Sequence, residues 1–252
     1  MTTDCRVALV TGGSGGLGSQ HCLSLANAGY KVAVAAHNQL DKAKAVADKI
    51  KSMGKQAMAF KMDVSSEDEV ETNFREVEKT LGPVDILVNN AADGIVRAVT
   101  IAKMKMQDWM NDVNVNLTGP FNTIKRSLPG MMDRGWGRII NISSIAGTMG
   151  GAGQCSYAAT KAGLIGLTKT VALESARKGV TCNAVVLGIV DGGAFKSVAP
   201  EFQDRIAKSI AMRRPGTTQE VSNVVVFLAS NEASYITGEA IEVSGGAGLF
   251  VF

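Results

Sequence analysis

Potential metal ligands and cross-linking cysteines are scarce in this chain. Its 252 residues include two histidines, His21 and His37, and four cysteines that lack C-x-x-C spacing. Scattered cysteines, beside an N-terminus without a secretory pattern, predict reduced thiols and a cytoplasmic location. The same lack of clustered ligands predicts that the chain has no metal site.

Strong charge and long apolar runs are missing as well. The net charge is +3 and no run of five basic residues occurs, so neither nucleic acid nor a membrane is expected as a partner. The apolar runs are shorter than the about 20 residues that span a membrane. Hydrophobic residues make up 46% of the chain and proline contributes only 5 residues, which predicts a folded protein with a sizeable core.

Short β-branched segments alternate with helical patterns along the chain. Strands are predicted at residues 6–11, 31–36, 56–64, 83–91, 137–144, 180–188 and 240–246. Helices are predicted at residues 16–29, 40–54, 66–81, 106–133, 157–179 and 217–229, with an interruption near 118–120. This alternation predicts an α/β fold: one doubly wound domain over residues 1–252, in which helices cover both faces of a parallel seven-stranded sheet.

A glycine-rich segment, TGGSGGLG at 11–18, lies between the first predicted strand and its helix. Glycines at this position permit a tight turn and let a pyrophosphate approach backbone N–H groups at the helix N-terminus. The spacing of Gly12, Gly16 and Gly18 follows the pattern T-G-x-x-x-G-x-G. A plain strand-to-helix turn is the alternative interpretation of this segment taken alone.

Tyr157 and Lys161 are four residues apart in a predicted helix, so their side chains share one face. A neighbouring ammonium favours the phenolate, which predicts a lowered pKa for Tyr157 and an acid/base pair. The alternative is a surface tyrosine that covers a lysine stem.

Five motifs, taken in order, resemble those of the short-chain dehydrogenases/reductases. They are TGGSGGLG (11–18), NNAA (89–92), NVNLTG (114–119), NISS (141–144) and YAATK (157–161). The resemblance covers essentially the whole chain and implies a single Rossmann domain with a substrate loop and lid at about 188–215. It implies a catalytic role for Asn116, Ser144, Tyr157 and Lys161.

The roles follow by analogy with that family. Tyr157 is expected to act as general acid in carbonyl reduction, Ser144 to hydrogen-bond the substrate oxygen, and Lys161 to lower the pKa of Tyr157 and bind the nicotinamide ribose. Asn116 is expected to hold a water that links Lys161 to solvent. The implied cofactor-binding residues are Gly12, Ser14, Gly15, Gly16, Leu17, Gly18, His37, Asp63, Val64, Asn90, Ala91, Tyr157, Lys161, Gly188 and Val190.

The end of the second predicted strand favours NADP(H) over NAD(H). An acidic residue there binds the ribose 2′-hydroxyl in NAD-dependent proteins, and Ala36 stands at that position. His37 and Asn38 offer hydrogen bonds to a 2′-phosphate instead. Asp63 resembles the family aspartate that contacts adenine, and it is also a candidate cap for the next helix.

Longer segments around residues 131–144, 153–170 and 228–246 resemble the 3-oxoacyl thioester reductases. The expected substrate is therefore a 3-oxoacyl group on CoA or carrier protein, bound by Gln154, Ile189 and Phe195. Candidates for a basic surface near its tail are Arg97, Lys103, Lys105, Arg213 and Arg214, and the alternative for each is an ordinary solvated surface charge. Two alternatives stay open: a dehydrogenase of small cyclic or aromatic secondary alcohols, and a cofactor-binding redox sensor without turnover.

Three substitutions depart from the family pattern, at Leu187, Gly192 and Ala92. Leu187 replaces a proline, Gly192 replaces a threonine that contacts the nicotinamide carboxamide, and Ala92 replaces a glycine. If Ala92 required a positive φ, its backbone would be strained. The resemblance also implies a homotetramer, with one interface from the helices at 106–133 and 157–179 and another from the C-terminal residues 248–252.

Overall fold

Seven parallel strands form one sheet in a computed structural model that describes residues 6–94, 97–196 and 198–249. The strands are β1 (Val7–Val10), β2 (Lys31–Ala36), β3 (Ala57–Lys61), β4 (Val84–Asn89), β5 (Gly137–Ser144), β6 (Val180–Leu187) and β7 (Ala240–Val243). Their order is β3-β2-β1-β4-β5-β6-β7, and every neighbouring pair is parallel. The strand order reverses between β1 and β4, so a crevice opens there at the carboxyl ends of the strands.

Helices cover both faces of the sheet, which confirms the predicted doubly wound α/β fold. The helices are α1 (Gly16–Asn27), α2 (Leu40–Ser52), α3 (Glu67–Thr80), α4 (Met106–Val113), α5 (Gly119–Asp133), α6 (Ile145–Met149), α7 (Cys155–Ser175), α8 (Gly193–Lys196), α9 (Pro200–Ser209) and α10 (Thr218–Ala229). One core packs α1, α2 and α10 against the sheet, and the other packs α3, α5 and α7. Buried strands supply both cores: in β1, Ala8 and Val10 belong to the first and Val7 and Leu9 to the second.

The predicted helix at 106–133 is continuous but not regular. A π-helical turn, Asn114–Thr118, joins α4 to α5 and overlaps the interruption predicted near 118–120 only at its last residue. Pro120 lies in the first turn of α5, where its missing N–H costs little. Widened turns of this kind are frequent at functional sites, and this one carries Asn116.

Three short helices were not predicted: α6, α8 and α9. The last two lie within the predicted substrate loop at 188–215, so this loop is partly helical. No helix in the described part of the chain combines the length and the apolar character that crossing a membrane requires.

Candidate active site

A cavity of about 1010 Å³ opens at the carboxyl ends of the strands, where the strand order reverses. It runs from the glycine segment after β1 to α7 and to the loop after β6. Except for Asn116, every residue assigned to a site from the sequence lines this cavity: Gly12, Ser14, Gly15, Gly16, Leu17, Gly18, His37, Asp63, Val64, Asn90, Ala91, Ser144, Gln154, Tyr157, Lys161, Gly188, Ile189, Val190 and Phe195.

The glycine segment is folded against the end of β4. Asn90 Nδ2 donates to the carbonyl oxygens of Thr11 and Gly12, at 3.0 and 3.2 Å. Gly12 has a φ of +64°, and a Cβ on Gly18 would overlap the Gly12 carbonyl oxygen, so only glycine fits these two positions.

The N-terminus of α1 is suited to an anion. Its N-cap, Gly15, provides no side-chain hydrogen bond, and the first turn contains no acidic residue. The first amides of a helix need partners from outside the helix, and the helix dipole favours a negative charge there. Because this end lines the cavity, the chain fits the pyrophosphate of a dinucleotide.

His37 and Asp63 lie together at the far end of the cavity, beyond β2 and β3. Their side chains approach within 3.7 Å, from His37 Nε2 to Asp63 Oδ2. Burial by itself would raise the pKa of Asp63, but hydrogen bonds from the Ser65 hydroxyl and amide and the nearby His37 and Lys61 lower it. Asp63 does not cap the next helix, because Ser66 is the N-cap of α3.

Tyr157 and Ser144 both line the cavity, and their side chains share a hydrogen bond. Ser144 is the N-cap of α6 and accepts a hydrogen bond from the Ala146 amide at 3.1 Å, which fixes its hydroxyl. Burial raises the pKa of Tyr157 to about 12, and the hydrogen bond with Ser144 offsets only part of the rise. The lowered pKa expected from the sequence is therefore wrong for the protein groups alone, and Tyr157 is a protonated phenol at neutral pH.

Lys161 lies under Tyr157 and is 2% exposed. Its Nζ lies 5.6 Å from the centre of the Tyr157 ring and donates to the Ile142 carbonyl oxygen at 2.7 Å. Burial lowers the pKa of Lys161 to about 8. The two side chains share one helical face, as predicted. Both are buried, so the alternative of a surface tyrosine that covers the aliphatic part of a lysine does not apply.

Asn116 is fully buried and does not line the cavity. Its Oδ1 accepts from the Asp93 amide at 2.8 Å, and its Nδ2 donates to the Asp93 carbonyl oxygen at 3.0 Å and to Thr160 Oγ1 at 3.3 Å. The Asn116 side chain thus joins the loop after β4 to α7, which it contacts at Thr160, the residue before Lys161.

Gly147 holds α6 close to α7, a role that the sequence analysis missed. A Cβ on Gly147 would lie 2.7 Å from both the carbonyl carbon of Lys161 and the amide nitrogen of Ala162. The sequence signal was a glycine three residues after the NISS motif. Its neighbours, Lys161 and Ala162, are remote in the chain, so the sequence did not show what the glycine packs against.

The loop after β6 is held by backbone contacts on one side. Gly216 donates to the Ile189 carbonyl oxygen at 2.9 Å and accepts from the Asp191 amide at 2.7 Å. Val190, between these two residues, forms a parallel bridge with Gly216 and lines the cavity. A Cβ on Gly192 would meet only the Val190 carbonyl oxygen, at 3.9 Å, so the missing threonine side chain leaves open space.

Ala92 is not strained. Among the residues that the structure describes, Arg213 is the one non-glycine with a positive φ, so replacing glycine at position 92 carries no backbone cost. The strain considered from the sequence does not occur.

Sequence and structure comparisons identify the family. A family model described as short chain dehydrogenase matches residues 6–202. The chain belongs to the short chain dehydrogenase family. It is therefore an oxidoreductase that acts on CH–OH groups with a nicotinamide cofactor.

Individual relatives cover nearly the whole chain. The 3-oxoacyl-[acyl-carrier-protein] reductase FabG of Staphylococcus epidermidis is 44% identical over 241 residues, which is 96% of this chain and 98% of that protein. The acetoacetyl-CoA reductase of Rhizobium meliloti is 45% identical over 242 residues, with the same coverage of each. A crystal structure of a putative gluconate dehydrogenase from Agrobacterium tumefaciens matches with a TM-score of 0.93 at 29% identity, over 100% of both chains.

Metal ligands are not grouped in the described residues. No three His, Cys, Asp or Glu side chains there lie close enough together to hold an ion.

Proposed function

We propose that this short chain dehydrogenase is an NADPH-dependent reductase of 3-oxoacyl thioesters, on CoA or on a carrier protein. The observation that carries the proposal is the pairing of a protonated Tyr157 with Ser144 inside the cavity that begins at the glycine segment. The relatives at 44% and 45% identity support the substrate class, since they are named as reductases of the acyl-carrier-protein and CoA thioesters.

Tyr157 is the proposed general acid. A nicotinamide cofactor held in this cavity would supply the hydride for the substrate carbonyl carbon. The Tyr157 Oη proton is transferred to the carbonyl oxygen, where negative charge develops, and Ser144 Oγ donates a hydrogen bond to the same oxygen. A pKa of about 12 keeps this proton on Tyr157 at neutral pH, so the phenol is in the form that can donate a proton.

Lys161 and Asn116 are proposed to support this proton transfer. The Lys161 ammonium carries a positive charge beside the Tyr157 ring, and that charge stabilises the phenolate left after the proton has gone. The Asn116 side chain fixes the backbone of the loop after β4 beside α7, and its role in a water path to Lys161 is proposed by analogy with the family alone.

The preference for NADPH rests on the residues beyond β2. His37, Asn38 and Gln39 line that end of the cavity, and none of the three is acidic. Without a carboxylate to accept the ribose 2′-hydroxyl, a 2′-phosphate meets no repulsion from this loop. His37 is half exposed, and its ring offers a hydrogen bond to a 2′-phosphate.

A secondary-alcohol dehydrogenase is the second candidate. The wall around the substrate end is mainly apolar, from Ile189, Phe195, Val198 and Ile206, and an apolar wall accepts a cyclic or aryl alcohol as well as a short acyl chain. Met149 does not belong to this wall: it is 59% exposed and lies beside Gly248.

Homotetramers in the cytoplasm are proposed as the working form. Exposed apolar side chains on the helices expected to form one interface support it: Met106, Met110, Phe121 and Leu173. Part of the second proposed interface, residues 250–252, lies outside the described residues.

Parallel assays at 340 nm test the proposal. Purified protein is given acetoacetyl-CoA with NADPH or NADH, and cyclohexanol or 1-phenylethanol with NADP or NAD. We expect rapid oxidation of NADPH by acetoacetyl-CoA, with a kcat/KM at least about tenfold above that for NADH. Turnover restricted to the alcohols would contradict the proposal and favour the second candidate.

A further inference from the structure

Arg97 lies on the cavity wall with part of its guanidinium uncommitted. Its side chain is 22% exposed. Nη1 donates to Asp112 Oδ1 at 3.1 Å and to the Asp108 carbonyl oxygen at 3.0 Å. Within the described residues, Nε and Nη2 donate no hydrogen bond. Arginine presents donors in a fixed fork, so holding Nη1 also fixes the directions of the other two nitrogens.

Asp112 is a buried anchor for Arg97. Its side chain is fully buried, and its second oxygen, Oδ2, accepts a hydrogen bond from Ser156 Oγ. A Cβ on Gly94 would overlap the carboxylate, so glycine is needed at that position to bring the loop after β4 this close. A buried carboxylate is costly unless it is paired, and Asp112 is paired with one cation and one hydroxyl.

The position of Arg97 places it at the substrate end of the cavity. The Val99 amide donates to the Gly153 carbonyl oxygen at 2.9 Å, and Val99 forms a bridge with Gln154. Gln154 directly precedes α7, and the first turn of that helix contains Ser156 and Tyr157. Arg97 therefore belongs to the wall beside the proposed acid, away from the glycine segment that is suited to the cofactor.

We propose that Arg97 is a substrate-recognition residue, whose Nε and Nη2 donate hydrogen bonds to acceptor oxygens in the substrate tail beyond the thioester. The inference rests on the proposed function and names a residue for its specificity. The acceptors are an amide carbonyl of the pantetheine arm or a phosphate oxygen. Asp112 and the Asp108 carboxylate, whose Oδ1 lies 3.8 Å from Arg97 Nη1, offset the charge of Arg97, so recognition depends on directed hydrogen bonds more than on net attraction.

Three substrates that share the reacting 3-oxo group test this role. Acetoacetyl-CoA has both amides and phosphates, S-acetoacetyl-N-acetylcysteamine has one amide, and ethyl acetoacetate has neither. Hydrogen bonds to a charged group contribute enough that we expect Arg97→Gln to raise KM for the CoA thioester roughly 10–100-fold. We expect kcat to change little, and kcat/KM for ethyl acetoacetate to stay within about twofold. A rise in KM for the cysteamine thioester as well identifies the amide next to the thioester, and a rise confined to CoA identifies the second amide of the pantetheine arm or the phosphates.

Two further variants separate recognition from folding. Arg97→Gln leaves Asp112 buried without its cation, so the double variant Arg97→Gln/Asp112→Asn repeats the measurement with a neutral pair. Arg126→Gln is the matched control, because Arg126 is 23% exposed and ion-paired with Glu78 but lies on α5, outside the cavity. We expect the control to leave KM for all three substrates unchanged.

Two results would count against these ideas, and they are distinct. Equal losses with all three substrates in both Arg97 variants would overturn the recognition role and leave the proposed function standing. Failure of the wild-type protein to reduce either thioester would overturn the proposed function, and the inference with it.

Discussion

The Lys161 ammonium donates a 2.7 Å hydrogen bond to the main-chain carbonyl oxygen of Ile142. The backbone next to it is tied as well, because Ser143 Oγ donates to the Lys161 carbonyl oxygen at 2.9 Å. These two bonds fix α7 to the carboxyl end of β5. Lys161 is thus a buried cation held by the sheet, with its pKa lowered to about 8 by burial.

The pKa of Lys161 predicts how cofactor affinity depends on pH. Lys161 is charged below about pH 8 and loses its proton as the pH rises through that value, so the proposed ribose contact weakens on the alkaline side. We expect the Kd for NADPH to rise by up to about tenfold per pH unit above pH 8. Fluorescence titrations with NADPH at several pH values between 7 and 9.5 measure this Kd. In Lys161→Met the rise in Kd above pH 8 should be absent. A rise that persists in this variant would mean that another group causes it.

A carboxylate at position 37 should reverse the cofactor preference. His37 lies beyond β2 at the end of the cavity that contains Asp63. His37→Asp adds a second negative charge there, which repels a 2′-phosphate and accepts a 2′-hydroxyl. We expect the ratio of kcat/KM for NADPH to that for NADH to fall at least about tenfold. His37→Gln, which adds no charge, is the control, and an equal fall in both variants would refute the electrostatic explanation.

Two glycines of the loop after β6 should differ in their tolerance of alanine. A Cβ on Gly188 would lie 2.6 Å from the Ser244 Cα, whereas one on Gly192 would meet only an oxygen at 3.9 Å. Because the backbone of Ser244 cannot easily move, we expect Gly188→Ala to cost about 1–3 kcal/mol in the free energy of unfolding. Gly192→Ala should be neutral or stabilising by up to about 1 kcal/mol. Urea denaturation compares the two, and equal costs would contradict this account of the loop.

His21 predicts sensitivity to acid. It is fully buried between α1 and α10, where Nδ1 lies 2.8 Å from Ser222 Oγ and Nε2 has no partner within the described residues. Burial lowers the pKa of His21 from 6.5 to about 3. Between these values the unfolded chain binds a proton that the folded chain does not, so stability falls as the pH falls.

The expected loss from His21 is about 1.4 kcal/mol per pH unit between pH 6.5 and pH 3. His21→Gln removes the titration and retains a group that can bond Ser222. Urea denaturation at several pH values should show a flatter dependence in this variant. Parallel curves for the variant and the wild-type protein would mean that His21 is not the group responsible.

The parallel sheet and the location of the site follow from features that are local in the sequence. Alternating buried strands and helices predicted the sheet, and the motif residues lie at strand ends, so the fold alone brings Gly12, Ser144 and Tyr157 to one cavity. The π-helical turn carrying Asn116 was predicted only as an interruption, since its geometry depends on contacts with Asp93 and Thr160.

What the sequence could not predict depends on burial. The pKa of Tyr157 was expected to fall because Lys161 is a neighbour, but desolvation of the phenol has the larger effect. Asp112 was not singled out, because a polar residue in an amphipathic helix is usually exposed, and its burial depends on Arg97 and Ser156 from distant segments. The short helices α8 and α9 lack a long periodic pattern and were predicted only as a loop.

The most direct test of the proposed mechanism compares wild-type protein with Tyr157→Phe. The measurement is the rate of NADPH oxidation by acetoacetyl-CoA at 340 nm, alongside the Kd for NADPH from fluorescence. If Tyr157 donates the proton, turnover should fall by about 10²–10⁴-fold while the Kd changes less than about threefold. Turnover in Tyr157→Phe equal to that of the wild-type protein would contradict the assignment of Tyr157 as the general acid.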